Sequence, residues 1–335
     1  MQAYSLPAGS SRRAFLGAAG ASVLLPRPAF AQAVPLRVIG FFSGTTLPLW
    51  VADANGFFAR EYLNVTLTPT PGSVYQFQHL SAGDFEIGAT ALDNIVAYDE
   101  GDGEAPLPNP ADFVAIMGGD SGFLQLWARP EIGSYADFRG KLLAVDAVRT
   151  GFTFVLRRML QAHGVMPGEY DLVPVGNTPA RLARMRQGTD CVGALLAPPS
   201  DVAARAAGFK LLDRATDVIG PYQAGVQVAR RSWLAANGEA AAKFIRAVRA
   251  GLAWLYTPAN RSAAATLLAA RTRITPDAAA ALLGTLLDPK LGFERNGALD
   301  SAGVRTVLDL RAAYTGKRLG DPDKYEDLSY YRRSG

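Results

Sequence analysis

Gly83-Asp84-Phe85-Glu86-Ile87-Gly88-Ala89-Thr90-Ala91-Leu92-Asp93-Asn94-Ile95-Val96-Ala97-Tyr98 carries the reading on which the rest of the chain depends. Phe85 to Ala89 predicts a short strand that stops in small residues. Thr90, with Asp93 three positions on, has the spacing of a capping box at the start of a helix. Strand, small-residue loop and helix N-terminus place several backbone N–H groups beyond a sheet's carboxyl edge, where open α/β sheets bind small ligands. The unit recurs. Leu36 to Phe42 is a strand that leads through Ser43-Gly44-Thr45-Thr46 to a helix from about Pro48. Val65 to Thr70 leads through Gly72-Ser73-Val74-Tyr75-Gln76 to a helix holding Phe77 and Leu80.

After Gly101 to Pro110, a polar excursion rich in Pro and Gly, Phe113 to Met117 is another strand, ending in Gly118-Gly119-Asp120-Ser121-Gly122. The pattern then restarts. Phe123 to Ala128 is a strand, Tyr135 to Lys141 a short helix, and Leu142 to Val145 a strand before Asp146-Ala147-Val148-Arg149-Thr150-Gly151. The helix that follows carries Phe152, Val155, Leu156, Met159 and Leu160, the i, i+3, i+4 spacing of a buried face. Asp171 to Val175, Gly176-Asn177-Thr178-Pro179 and a helix from Ala180 repeat the theme, with Pro179 near the helix start. Val192 to Leu196 leads to Ala197-Pro198-Pro199, and Phe209 to Leu212 closes this set. Past Gly220-Pro221-Tyr222-Gln223, one strand (Ala224 to Ala229) precedes helices at about 232–256, 260–271, 276–287 and 301–315.

The expected fold is therefore α/β in two lobes, each a mainly parallel sheet flanked by helices, with a helical C-terminal tail covering one of them. About 300 residues lie near the size at which one core splits into two. The first lobe is assigned to 32–122 and 222–335 and the second to 123–221, joined by crossings near 119–124 and 218–226.

Ser11-Arg12-Arg13-Ala14-Phe15-Leu16, the apolar run to Leu25 and Ala29-Phe30-Ala31 together read as an export signal of the twin-arginine class over residues 1–31. The apolar run is too short to span a bilayer. Removing Arg12, Arg13 and Arg27 takes the formal charge from +4 to +1, so the remainder is nearly neutral and nothing in it favours nucleic-acid binding. Cys191 is alone, which excludes an intrachain disulfide.

Other chemistries fit poorly. Gly119-Asp120-Ser121-Gly122 has the form of a serine-protease nucleophile motif with His79 upstream, but a repetitive α/β chain is not two β-barrels, and glycines there suit a crossing between lobes. His79 and His163 lie on predicted helices far apart in sequence, and no spacing of His, Cys and carboxylates suggests zinc. Asp99-Glu100-Gly101-Asp102-Gly103-Glu104 lacks the alternating spacing of a calcium loop and reads as a solvated loop. No cofactor is expected.

Leu47-Pro48-Leu49-Trp50-Val51-Ala52, Gly56-Phe57-Phe58-Ala59, Leu80-Ser81-Ala82-Gly83-Asp84-Phe85-Glu86-Ile87-Gly88 and Ala136-Asp137-Phe138-Arg139-Gly140-Lys141 resemble the periplasmic substrate-binding proteins of ABC importers, in the nitrate, sulfonate and taurine branch that also covers thiamine-pyrimidine precursors. Thr150-Gly151 before a long helix and the tail Asp323 to Tyr331 fit the same pattern. The resemblance spans about 36 to 331. It implies a type II periplasmic-binding-protein fold that closes on a small molecule without catalysis, acts as a monomer in the periplasm, and hands its ligand to a membrane permease driven by an ATPase. Two other readings stand beside it: a pyrimidine-precursor synthase on the same scaffold, whose Cys-rich motif this chain lacks, and a ligand-loaded adaptor for a membrane sensor.

The strand-end loops supply the candidate ligand contacts: Ser43, Thr45, Ser73, Tyr75, Gln76, Thr90, Asp93, Asn94, Asp120, Asp146, Arg149, Thr150, Phe152, Asn177, Pro198 and Tyr222. Thr90 and Asp93 serve either as helix caps or as contacts, Thr178 better as a cap. Asp146 and Arg149 pair with each other or with a ligand, because a lone charge in a closed cleft is costly. Phe42, Tyr75, Phe152 and Tyr222 are candidate walls for a planar guest, or core aromatics. Carboxylates among these residues favour a donor-bearing molecule, such as a nitrogen heterocycle or a zwitterion, over the sulfonate or carboxylate that the branch suggests.

Overall fold

The computed structural model describes residues 32–41, 43–188 and 190–335. The export segment expected at 1–31 and Phe42 lie outside the described residues.

Among the described residues ten strands form two five-stranded sheets. The first holds β1 (Val34–Gly40), β2 (Leu63–Pro69), β3 (Ile87–Ala91), β4 (Phe113–Asp120) and β10 (Gly225–Arg230), in the order β2-β1-β3-β10-β4. The second holds β5 (Gln125–Ala128), β6 (Leu142–Val145), β7 (Asp171–Pro174), β8 (Cys191–Leu196) and β9 (Lys210–Arg214), in the order β7-β6-β8-β5-β9. In each sheet four strands run one way and a single strand is reversed: β10 between β3 and β4, and β5 between β8 and β9. These reversed strands are where the chain enters the second sheet and returns to the first.

Helices cover both faces of the first sheet, so its strands are apolar on both sides. Leu36 and Val38 pack with Val51, Phe244, Ile245 and Val248, while Ile39 packs with Phe77, Leu80 and Ile95. Four helices follow strands of this sheet: α1 (Leu47–Ala54), α2 (Phe57–Arg60), α3 (Ser73–Ala82) and α4 (Leu92–Asp99). The long helix Arg231–Tyr256 lies against α1, α2 and β10, and the tail helix Ser301–Thr315 against α4. In the second sheet α5 (Gly151–Ala162) follows β6 and α6 (Thr178–Gln187) follows β7.

The opening stretch folds as a strand that runs directly into a helix, with no loop between them and the strand two residues later than its polarity predicts. Gly83, at φ 85°, ends α3 with its N–H on the carbonyls of His79 and Leu80, a left-handed position that glycine takes without steric cost. Gly88 is small of necessity, since a Cβ there would lie 2.7 Å from Val228 and 2.8 Å from Leu80. The capping box is not formed. Thr90 is still in β3, paired with Val226, and the helix opens after Ala91 without a side-chain cap. Asp93 instead faces Arg311 of the tail helix, with Nε–Oδ1 at 2.7 Å and Nη2–Oδ2 at 2.5 Å. A forked, charge-assisted pair outcompetes one bond to a backbone amide.

The acidic stretch 99–104 is not a solvated loop. Asp102 is buried and pairs with Lys317 and Arg149, Glu100 pairs with Lys324, and Glu104 accepts from the Arg149 backbone N–H.

The two crossings between sheets run side by side. The Ala224 N–H donates to the Asp120 carbonyl at 3.0 Å, and Gln223 Nε2 donates to the Gly225 carbonyl at 2.7 Å. Gly122, at φ 82°, makes the outgoing turn. Among the described residues no helix is long and apolar enough to cross a membrane.

Candidate functional site

Between the carboxyl ends of the two sheets lies a cavity of about 190 Å³. The first sheet contributes the turn after β1 with Ser43, Thr45 and Thr46, the end of β3 with Thr90, Asn94 one turn into α4, Asp120 at the end of β4 and Gln227 on β10. The second contributes Asp146 after β6, Thr150 and Phe152 at the start of α5, and Asn177, Thr178 and Arg181 at the start of α6. The wall is mixed: hydroxyls and amides, three ionisable groups, and apolar surface from Phe41, Phe152, Met117 and Phe293.

Local chemistry explains why these polar groups point inward. Ser43 caps the short turn Gly44–Thr46 and meets the Thr45 hydroxyl at 2.8 Å. Asn177 is the N-cap of α6, accepting from the Ala180 N–H at 3.1 Å; the cap is thus Asn177 and not Thr178. The Asn94 amide donates to the Thr90 hydroxyl at 3.0 Å. Thr150 donates to the Ala147 carbonyl at 3.1 Å.

The lobes meet around the cavity. Ser73 donates to Asp146 Oδ2 at 2.5 Å, the Asn177 N–H to the Pro71 carbonyl at 3.2 Å, and the Gly44 N–H to the Pro198 carbonyl at 2.9 Å. On the tail side, Arg311 Nη2 donates to the Arg149 carbonyl at 2.9 Å, and Phe154 stacks on Tyr314 with ring centroids 5.3 Å apart. Gly151 fits only because it lacks a side chain: a Cβ would lie 2.4 Å from the Asp93 Cβ. The structure is a shut form.

The cavity brings together Ser43, Thr45, Thr90, Asn94, Asp120, Asp146, Thr150, Phe152 and Asn177. Seven other candidates are placed elsewhere. Asp93 is buried against Arg311. Arg149 turns outward to Asp102 at 3.1 Å and does not pair with Asp146. Ser73 stands behind Asp146 as its donor, and Gln76 is buried beneath, donating to the Ile39 and Ala89 carbonyls. Tyr75 is exposed and stacks on His79 at 3.9 Å. Pro198 packs against Gly44, and Tyr222 is buried behind Phe152, ring centroids 6.5 Å apart.

The polar lining residues Thr46, Thr70, Arg181 and Gln227 were not among the sequence candidates, and the last two matter most. Arg181, a turn into α6, is the cation of the cavity wall; it donates to the Thr178 hydroxyl at 2.8 Å while its Nε has no partner. Burial lowers its pKa to about 10, with Asp146 pulling the other way. Gln227, whose Oε1 has no partner, was signalled only as a lone polar residue within the apolar run Val226 to Ala229. Asp120 has its carboxyl pKa pushed up to about 6 by burial, against a lowering bond from the Gly122 N–H. Among the described residues no group of three or more His, Cys, Asp and Glu is placed to hold a metal.

Two α/β lobes shut over a small, mixed-polarity cavity, joined by paired crossings, are the architecture of the periplasmic binding proteins. The NMT1/THI5-like family model matches residues 44–260, and the chain belongs to that family. No curated protein sequence matches it. Among solved structures, the periplasmic nitrate-binding protein NrtA of Synechocystis PCC 6803 superposes with a TM-score of 0.75 at 13% identity, over 90% of this chain and 88% of that one. The ligand-binding component of an ABC-type import system of Staphylococcus aureus, with zinc bound, gives 0.73 at 11%, over 90% and 99%. The desulfurization enzyme DSZB gives 0.59 at 14%, over 89% and 98%.

Proposed function

We propose that the protein is the solute-binding component of an ABC importer, exported to the periplasm by the twin-arginine route, which captures a small organic molecule between its lobes as a monomer and delivers it to a membrane permease and its ATPase. The observation that carries this reading is the cavity itself: its polar wall is split between the two sheets, so a guest is held only when both lobes close on it. Domain boundaries at 32–122 with 222–335, and 123–221, give the two moving bodies. Ser43, Thr45, Thr90, Asn94, Asp120, Asp146, Thr150, Phe152 and Asn177 are the contacts, together with Arg181 and Gln227.

Capture without turnover is supported by the placement of the two histidines and the cysteine. His79 sits on α3 against Asp84, His163 stacks on Tyr135, and Cys191 is buried in β8, all away from the cavity wall. The likeness to DSZB makes an enzyme on this scaffold the rival reading. A thermal-shift screen of the full chain against small organic acids, sulfonates, amines and pyrimidines separates the two. A bound and unaltered compound, recovered intact by mass spectrometry, supports capture; its conversion to product overturns it.

A further inference from the structure

Among the described residues the charges that line the cavity are Asp120, Asp146 and Arg181, a net of −1. They are not equivalent. Asp146 takes the Ser73 hydroxyl on Oδ2 and lies close enough to Arg181 to act on its charge, while its buried Oδ1 has no partner. The carboxylate of Asp120, at the end of β4, has one hydrogen bond, from the Gly122 N–H to Oδ1 at 2.6 Å. Its Oδ2 accepts nothing, and no cation pairs with it, among the described residues. What packs around it is uncharged: Gly225 of β10, where a Cβ would lie 2.4 Å from Oδ2, Gly122 of the crossing turn, and beyond Gly122 the ring of Phe152 at the start of α5. On the neighbouring strand β10, the Gln227 Oε1 is a further acceptor without a donor. Asp120 is half-buried, and a carboxylate without a counter-charge becomes costly where a closing cleft sheds its water; the fully buried Asp93, by contrast, is neutralised by Arg311.

We propose that the solute carries a protonated nitrogen, an ammonium or amidinium group, that pairs with Asp120 Oδ2, so that Asp120 selects organic cations over anions at this site. This rests on the capture reading above and narrows it to one ligand class, different from the nitrate for which NrtA is named. The raised carboxyl pKa is the mark of the same missing partner, since burial is its cause and no neighbouring charge contributes.

The test is calorimetric titration of the full chain with probes of one shape and three charges: benzamidine and benzylamine as cations, benzamide and benzyl alcohol as neutral forms, benzoate and benzenesulfonate as anions. A cation is expected to bind at least tenfold more tightly than its neutral and anionic counterparts. Asp120→Asn, which keeps an Oδ1 for the Gly122 N–H and should fold without loss of stability, is expected to remove that preference. Below about pH 6 cation affinity should fall by roughly tenfold per unit in the parent and stay flat in Asp120→Asn. Binding of an anionic or neutral probe in preference to the cations, or a cation affinity unchanged by Asp120→Asn, overturns the inference and leaves capture standing. Failure of all six probes, and of every compound in the wider screen, overturns capture and the inference with it.

Discussion

Three charged side chains near the cavity behave in three ways, and each has its own consequence. Asp93 and Arg311 are both fully buried and joined in a fork. Removing one partner from such a pair leaves an uncompensated charge and costs about 3–5 kcal/mol. Asp93→Asn should therefore lower stability by that order in denaturant unfolding; an unchanged midpoint would show that the pair contributes nothing. Asp120 acts in the opposite sense. Its folded pKa, about 6, lies above the ordinary carboxylate value of 3.8. The stability it contributes is therefore full below about pH 4 and lost as pH rises through 6. At pH 7 the empty Asp120→Asn chain should be more stable than its parent, by on the order of 1 kcal/mol. That advantage should vanish toward pH 4, as read from melting temperatures across the range. Arg149, half exposed and paired with Asp102, belongs to a third kind. Arg149→Ala should change stability by about 1 kcal/mol or less.

At the scale of elements, the start of α5 governs closure. Gly151 opens that helix against Asp93, and Asp93 cannot yield because Arg311 holds it. Gly151→Ala adds a favourable helix residue, so the fold should be retained or slightly stabilised. The new Cβ, however, would meet Asp93 at 2.4 Å and prop the lobes apart. The expected outcome is a chain that melts normally, binds its solute at least tenfold more weakly, and scatters X-rays with a larger radius of gyration than the liganded parent. Normal affinity in this variant would mean that the contact yields when the lobes shut. The tail helix Ser301–Thr315 acts beside it, since Arg311 reaches both Asp93 of α4 and the Arg149 carbonyl before α5. A tail that the sequence presents as a cover is also a strut between lobes.

For the whole molecule, two sheets that share one cavity imply that ligand and closure are coupled. A solute at a hundred times its dissociation constant should raise stability by about 2.7 kcal/mol, and the radius of gyration should contract in the same titration. Stabilisation without contraction would place the solute on one lobe alone.

Much of this was legible in the chain. The strands, their small-residue stops and the helices after them follow from contacts between residues two to four positions apart, which polarity period, glycine and proline record directly. Ser43, Thr45, Asn94, Thr150 and Asn177 came from that grammar, because a strand end followed by a helix start must face the sheet's carboxyl edge. Partnership was not legible. Asp93 and Arg311 lie 218 positions apart, and nothing near Asp93 distinguishes a helix cap from half of an ion pair. The choice between Arg149 and Arg181 as the cavity's cation was likewise settled by the lobes' mutual approach, which turned one to Asp102 and buried the other beside Asp146. Local order is set by short-range sterics and periodicity, whereas a buried charge takes whichever counter-charge the packed lobes bring within reach, and only the assembled tertiary structure decides which that is.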